Sequence, residues 1–160
     1  QVKETLSPSM DIQVASNFER LIYYINNSES SKTVDIMKKI KQNSYQIENS
    51  NLEMIQKDFL SESCNEQETL DIIKKNYEEN NIILDPHTAI GVGAANKLSF
   101  NDCVVLSTAH PCKFPDAIKN AINKYEELPQ KLKHVLDKEE NFEMMKNNTE
   151  EVKKFIKSKV

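Results

Sequence analysis

Glycine is scarce in this sequence, since only Gly91 and Gly93 occur among 160 residues. A phosphate-binding α/β enzyme usually has more, because tight turns and close backbone approaches need residues without a Cβ atom. The sequence also starts at Gln1 and not at a methionine. Both observations favour the interpretation that it is part of a larger protein.

Other absences exclude classes of protein or of partner. No run of about 18 apolar residues suggests a membrane-spanning helix, and no signal-peptide pattern opens the sequence. The net charge is −4, and no basic block occurs, so we expect neither nucleic acid nor a membrane as a partner. The three cysteines form no CxxC pair, which indicates free thiols and a cytoplasmic location.

What is present is mostly helical patterning. Apolar residues spaced by three and four predict a helix that buries one face, formed by Phe18, Leu21, Ile22 and Ile25. A capping box at residues 16–19 is predicted to open this helix, and a second box at residues 63–66 opens another. Thr149 is predicted to cap the last helix, whose first turn is acidic and whose last turn is basic.

Asp85 and Pro86 predict the start of a further helix. The aspartate can accept backbone N–H groups, and proline lacks an N–H that would be unpaired at the first position. Gly91 and Gly93 fall inside this helix, where each costs about 1 kcal/mol relative to alanine. We therefore expect them to permit close packing against another backbone.

The run Cys103-Val104-Val105-Leu106 is the clearest strand pattern. It is short and apolar throughout, which suits a strand buried on both faces of a parallel sheet. One strand cannot form a sheet, so its partners are expected outside this sequence. The predicted fold class is α/β, in the form of a helix-rich piece of a larger enzyme.

The turn after this strand, residues 107–111, is the candidate for chemistry. Ligands of open α/β sheets bind at the carboxyl ends of strands, near helix N-termini. The turn offers two hydroxyl groups and an imidazole, from Ser107, Thr108 and His110. The alternative is that Ser107 or Thr108 only satisfies backbone groups of the turn, because hydroxyl residues favour turns for local reasons.

Three other kinds of site are poorly supported. A metal site would have to use Asp85, His87, His110 and Cys112, whose spacings match no ligand pattern, so we expect no metal. The Gly91 and Gly93 pair lies within a predicted helix and lacks the third glycine of a dinucleotide-binding loop. No serine lies in a nucleophile-elbow context, so a catalytic triad is not indicated.

Four segments, in their order and separation, resemble the C-terminal region of threonine synthases, which are pyridoxal-phosphate enzymes of the tryptophan-synthase-β-like fold (fold type II). The segments are Thr5–Ile12, Ser16–Leu21, Leu84–Val92 and Leu106–Phe114. The resemblance implies that residues 1–125 are the C-terminal part of the cofactor-binding catalytic domain. Residues 126–160 would be a C-terminal helical extension.

The resemblance implies a lyase that converts O-phospho-L-homoserine and water to L-threonine and phosphate. The cofactor would be pyridoxal 5'-phosphate, and Thr108 matches the family's threonine at the pyridine nitrogen. A hydroxyl at that place should leave the ring nitrogen largely unprotonated. No catalytic residue is assigned in this chain, because the Schiff-base lysine and the phosphate loop are expected upstream and the remainder of the catalytic chain is needed.

Asn17 and Arg20 are candidates for the substrate pocket, because an arginine can pair bidentately with a phosphate. The alternative for Arg20 is an ordinary solvated helix residue. A second hypothesis for the whole chain is a non-catalytic helical interaction or regulatory module derived from such an enzyme. The hydroxyl of Thr108 and the run from Ser7 to Asp11 favour the enzyme, because a decayed module would have little need of either.

Overall fold

The computed structural model describes residues 3–12, 14–42, 45–100 and 102–160, and within these ranges the chain is helical with no β-strand. The α-helices are α1 (Ser16–Ile25), α2 (Ser30–Gln42), α3 (Asn49–Asp58), α4 (Glu66–Asn80), α5 (Pro86–Lys97), α6 (Pro115–Ile122) and α7 (Thr149–Lys159). Short 3-10 helices lie at Pro8–Met10, Pro111–Lys113 and Gln130–Val135. None of the described helices is long and apolar enough to cross a bilayer. The chain divides into two compact units, Gln1–Glu127 and Leu128–Val160.

A first apolar cluster in the larger unit joins α1 to α2 and α3. Its buried members are Ile22 and Ile25 from α1 and Ile36 from α2. The buried face predicted for α1 is therefore confirmed at Ile22 and Ile25, whereas Phe18 is exposed. The capping box predicted at residues 16–19 is wrong, because Ala15 precedes the helix and no described side chain caps it.

A second apolar cluster joins α4, α5 and α6. Ile73, Ala89 and Ile118 are fully buried here, one from each helix. The helix α4 is opened by Asn65, whose side chain accepts the backbone N–H of Glu68 while the Glu68 side chain accepts that of Asn65. The predicted capping box thus exists, but it lies two residues further along the chain. This three-helix group supports the start of α5, where the candidate site lies.

Both glycines of α5 lie against neighbouring side chains. A Cβ atom at Gly93 would lie 2.5 Å from Sγ of Cys64 and 2.6 Å from Cδ1 of Ile72. A Cβ atom at Gly91 would lie 3.1 Å from Cγ1 of Val105. The predicted close packing is confirmed, but the expectation of a neighbouring backbone is wrong, because side chains fill the space.

The segment Cys103–Leu106 forms no strand in the part of the chain that the structure describes. Val104 and Leu106 are 89% and 76% exposed, while Val105 is half-buried against Gly91. A strand exists only when a neighbour accepts and donates its backbone hydrogen bonds. Burial on both faces is therefore not observed for this segment, and strand partners outside the sequence remain a prediction.

The smaller unit contains the Gln130–Val135 helix, which is of the 3-10 type, and α7. The helix α7 is capped by Asn148, whose side chain accepts the backbone N–H groups of Glu150 and Glu151. The predicted cap at Thr149 is wrong by one residue, because Thr149 is already the first helical position. The predicted acidic first turn and basic last turn are confirmed.

Candidate functional site

The N-terminus of α5 buries a carboxylate. Asp85 is 1% exposed, and its side chain accepts the backbone N–H groups of His87 at 3.0 Å and of Thr88 at 3.4 Å. Pro86 follows at the first helical position. The predicted helix start is therefore confirmed, and the capping residue also becomes a buried acceptor at the centre of the candidate site.

Asp85 also accepts hydrogen bonds from side chains of α5. In addition, it accepts one backbone hydrogen bond from outside this helix. Oδ1 lies 3.0 Å from Nδ1 of His87, and Oδ2 accepts from the hydroxyl of Thr88 and from the backbone N–H of Ala109 at 3.4 Å. Burial raises the pKa of Asp85, but the hydrogen bonds from Thr88 and His87 outweigh it, so the pKa lies below its ordinary value. The carboxylate is thus ionised, and N–H and O–H groups of the protein donate hydrogen bonds to it.

His87 connects the start of α5 to an earlier segment. Its Nε2 accepts the backbone N–H of Ser9 at 3.2 Å, so Nε2 carries no proton. The proton of the neutral ring therefore lies on Nδ1, which donates to Asp85. The ring also packs on Phe114, with 4.8 Å between ring centroids. His87 has a structural role in this arrangement, in that it fixes the Ser9 segment and Phe114 against α5.

Thr108 is held against the same helix start. Its backbone N–H donates to Oγ1 of Thr88 at 3.0 Å, and the two threonine hydroxyl oxygens are 3.2 Å apart. Oγ1 of Thr108 also lies 3.4 Å from each carboxylate oxygen of Asp85. Together with the hydrogen bond from Ser9 to His87, these contacts bring together three of the segments that carry the resemblance, namely residues 5–12, 84–92 and 106–114.

The turn at residues 107–111 borders two cavities. Thr108 and His87 line a cavity of about 520 Å³, and most of its other walls are apolar. Ser107 and His110 line a different cavity of about 640 Å³, which also includes Lys124. Thr108 is an exposed residue, so a ligand in the first cavity can reach it. Thr108 is thus the hydroxyl residue of the turn that is joined to the buried carboxylate.

The predicted substrate residues lie elsewhere in the larger unit. Asn17 and Arg20 are both on α1 and both exposed. Arg20 lines a cavity of about 450 Å³ between α1 and α2, together with Tyr23 and Tyr24. Asn17 is not one of the described residues that line it. Arg20 and Thr108 therefore border different cavities in this structure.

The two histidines of the hypothetical metal site make other contacts. His87 bonds to Asp85 and Ser9, and His110 accepts the backbone N–H of Cys112 through Nδ1 at 3.3 Å. Among the described residues, no group of three or more His, Cys, Asp or Glu could hold a metal ion. The donors around Asp85 are N–H and O–H groups, which suit a carboxylate acceptor.

Sequence reasoning missed Thr88 and the wider role of Asp85. Asp85 was predicted only as a helix cap, although a cap occupies just part of a carboxylate's acceptor capacity. The hydroxyl of Thr88, three residues after the cap, was a usable signal because the N3 position lies beside the capping side chain. Nothing in the sequence, however, indicated that Thr108 would lie against this pair.

Comparisons with known proteins point to the family that these segments resemble. The sequence model of the family "Threonine synthase, C-terminal" matches residues 88–156. The threonine synthase of Saccharomyces cerevisiae is 38% identical to this chain, over 94% of this chain and 36% of the yeast protein. That of Pseudomonas aeruginosa is 34% identical, over 95% of this chain and 34% of the bacterial protein.

A solved structure gives the fold. The crystal structure of PLP-bound threonine synthase from Brucella melitensis matches 99% of this chain and 35% of that chain, with a TM-score of 0.79 and 33% identity. The fold is therefore the helix-rich C-terminal region of an α/β enzyme of the tryptophan-synthase-β-like class. The chain matches the C-terminal region of threonine synthases, and it spans about a third of the length of these relatives.

Proposed function

We propose that this chain is part of a threonine synthase, a lyase that converts O-phospho-L-homoserine and water to L-threonine and phosphate in threonine biosynthesis. The observation that carries the proposal is the hydroxyl of Thr108, which lies beside Thr88 and Asp85 at the wall of an open cavity while its backbone N–H is bound by Thr88. Residues 1–125 would be the C-terminal part of the cofactor-binding catalytic domain, and residues 126–160 a helical extension. The three unpaired cysteines support a cytoplasmic location.

The proposed cofactor is pyridoxal 5'-phosphate, and the cavity beside Thr108 fits its ring. The cavity has mostly apolar walls, which suit the face of an aromatic ring, and an accessible hydroxyl at its edge. When bound, the cofactor supplies an electron sink for carbanion chemistry. The relatives named above and the PLP-bound structure from Brucella melitensis support this assignment.

The neighbour of the ring nitrogen would be the hydroxyl of Thr108 and not the carboxylate of Asp85. Asp85 is buried, is already surrounded by donors and does not line the cavity. A carboxylate beside the nitrogen would favour its protonated form, whereas the neutral hydroxyl of Thr108 can donate to the unprotonated form. The proposal is therefore that Thr108 keeps the ring nitrogen largely unprotonated, which tempers the electron sink and restrains side reactions.

Substitutions at Thr108 test this role in the complete polypeptide loaded with the cofactor. Thr108→Ala is expected to shift the absorbance of the bound cofactor and to slow turnover by about fivefold, because it removes one hydrogen bond worth about 1 kcal/mol. Thr108→Ser should retain both properties. Ser107→Ala is the matched control, because Ser107 lines the other cavity. An unchanged spectrum and rate in Thr108→Ala would remove Thr108 from the site.

Arg20 and Asn17 are proposed to bind the phosphate group of the substrate. The support is that Arg20 is exposed and lines a cavity, where its guanidinium can donate two hydrogen bonds to a phosphate. Arg20→Ala is expected to raise KM for O-phospho-L-homoserine by about tenfold or more, with Arg20→Lys recovering part of the loss. Lys38→Ala, which removes an exposed charge from α2, is the control. An equal KM in Arg20→Ala and in the control would leave Arg20 as a solvated helix residue.

The second candidate is a non-catalytic interaction or regulatory module derived from such an enzyme. Its support is the exposure of Val104 and Leu106, which could pack on a partner protein as well as on a missing sheet. The coding sequence upstream of Gln1 separates the two candidates. An upstream segment with a cofactor-binding lysine and a glycine-rich phosphate loop would support the enzyme, whereas a stop codon or an unrelated domain would support the module.

A further inference from the structure

The hydrogen bonds of Asp85 that measure 3.0 Å or less come from His87 and Thr88 and not from the hydroxyl of Thr108. A carboxylate has about four acceptor sites. On Oδ1 they are used by the backbone N–H and by Nδ1 of His87, both at 3.0 Å. On Oδ2 one site is used by the hydroxyl of Thr88, and the backbone N–H of Ala109 makes a longer contact at 3.4 Å. The hydroxyl oxygen of Thr108 is 3.4 Å from either carboxylate oxygen, which is long for an O–H···O bond.

Thr88 cannot donate to Thr108, because its single hydroxyl proton is used for Asp85. Its oxygen keeps two lone pairs. One accepts the backbone N–H of Thr108 at 3.0 Å, and the other faces the hydroxyl oxygen of Thr108 at 3.2 Å. The backbone of Thr108 is thus fixed, while the contacts of its hydroxyl are long, at 3.2 Å to Oγ1 of Thr88 and 3.4 Å to the carboxylate oxygens of Asp85.

We propose that Asp85 and Thr88 are positioning residues that keep Thr108 available as a hydrogen-bond donor toward its cavity. Asp85 accepts the hydrogen bond of the Thr88 hydroxyl. Thr88 in turn fixes the backbone of Thr108 by accepting a hydrogen bond from its N–H. A ligand atom that accepts a hydrogen bond from the Thr108 hydroxyl then has to replace only the long contacts that this hydroxyl makes with Thr88 and Asp85. The inference rests on the proposed function, because that acceptor would be the pyridine nitrogen.

The test uses the complete polypeptide and pyridoxal phosphate, with three variants. Thr88→Val removes the hydroxyl and keeps the shape of the side chain, and Thr88→Ser keeps the hydroxyl. Thr69→Val is the matched control, because Thr69 is also buried but its hydroxyl donates to the backbone oxygen of Asn65 within α4. The measurements are the dissociation constant of the cofactor, its absorbance maximum and the pH dependence of that absorbance.

Thr88→Val is expected to weaken cofactor binding by about tenfold, equal to about 1.4 kcal/mol, and to shift the absorbance in the direction of Thr108→Ala. Thr88→Ser should stay within about threefold of the unaltered protein. Thr69→Val should keep the affinity and the spectrum. Unaltered affinity and absorbance in Thr88→Val would overturn the inference.

A fourth variant, Thr88→Cys, covers the case in which Thr88→Val does not fold. Thr88→Cys keeps a side chain of similar size but offers only a weak sulfur acceptor. Its cofactor affinity should fall below that of Thr88→Ser, and an affinity equal to that of the unaltered protein would contradict the proposed positioning.

Thr108→Ala distinguishes failure of this inference from failure of the proposed function. If Thr108→Ala itself leaves the spectrum unchanged, the proposed role of Thr108 at the cofactor is wrong, and the positioning role falls with it. If Thr108→Ala shifts the spectrum and Thr88→Val does not, Thr108 remains at the cofactor and only the positioning by Thr88 and Asp85 is wrong.

Discussion

Removal of the Asp85 side chain is expected to destabilise the protein far more than the loss of a helix cap. Asp85→Ala removes a cap, which costs about 1 kcal/mol in a typical helix. It also leaves Nδ1–H of His87 and the hydroxyl of Thr88 without their acceptor. Both residues are buried, at 7% and 5% exposure, so each unpaired donor costs about 1–3 kcal/mol.

Re-pairing reduces this cost somewhat, because the hydroxyl of Thr88 can turn toward Oγ1 of Thr108, 3.2 Å away. We therefore take values near the lower end and expect Asp85→Ala to lower the free energy of unfolding by about 4 kcal/mol. Asp85→Asn keeps one acceptor oxygen but loses the charge, and the expected loss is about 2 kcal/mol.

Asn65→Ala is the matched control, since Asn65 caps α4 through a single acceptor and is exposed. Its expected cost is about 1 kcal/mol. Equilibrium urea unfolding of the purified protein, followed by far-UV circular dichroism, measures each difference. Equal losses for Asp85→Ala and Asn65→Ala would refute the argument, because Asp85 would then act only as a cap and the contacts to His87 and Thr88 would contribute nothing.

Three further predictions use the same unfolding measurement. Gly93→Ala should destabilise by about 1 kcal/mol, because overpacking against Cys64 exceeds the gain in helix propensity, whereas Gly91→Ala should be nearly neutral. The pKa of Asp85 is lowered in the folded protein, so the ionised carboxylate stabilises the fold fully above about pH 4, and this stabilisation is lost as the pH falls through the lowered pKa. The difference in the free energy of unfolding between the unaltered protein and Asp85→Asn should therefore shrink only in acid. Val104→Lys should change the stability of the 160-residue chain by less than about 0.5 kcal/mol, because Val104 is exposed, but should destabilise the complete polypeptide more if the segment is a buried strand there.

The helices could largely be predicted from the sequence, because the interactions that define them span three or four residues. The spacing of Ile22 and Ile25 located the buried face of α1, and Asp85 with Pro86 located the start of α5. The exact caps could not be predicted as well. Polar residues adjoin each other at these helix starts, and only the backbone geometry decides that Asn148 and not Thr149 caps α7.

The strand pattern at residues 103–106 illustrates a different limit. Its apolar residues predict burial, but burial needs a neighbouring surface, and the described chain offers one only to Val105, at Gly91. Val104 and Leu106 are therefore exposed here. A local sequence pattern can predict that a segment needs partners without specifying where they are.

The candidate site was predictable only in part, because its decisive contacts are not local. Asp85 and Thr108 are 23 residues apart in sequence, and Ser9 is 78 residues from His87. Pattern reasoning treats each segment separately, so it found the hydroxyl of Thr108 and the cap at Asp85 but not their contact. The resemblance to threonine synthases named the residue, while the structure supplied the hydrogen bonds that could make it an effective donor.

The same contacts show that the proposed site residues differ in how firmly the protein holds them before a ligand binds. Thr108 is joined to a buried carboxylate through Thr88, so its position is determined by a network that any ligand would meet preformed. Arg20 is exposed on α1 and borders a different cavity, so in the proposed role its guanidinium would be oriented by the substrate itself. Preorganised groups lose less entropy on binding than flexible ones. Substitution of Thr108 should therefore affect the cofactor in the absence of substrate, whereas substitution of Arg20 should affect only substrate binding, and a cofactor spectrum altered by Arg20→Ala would contradict this division of roles.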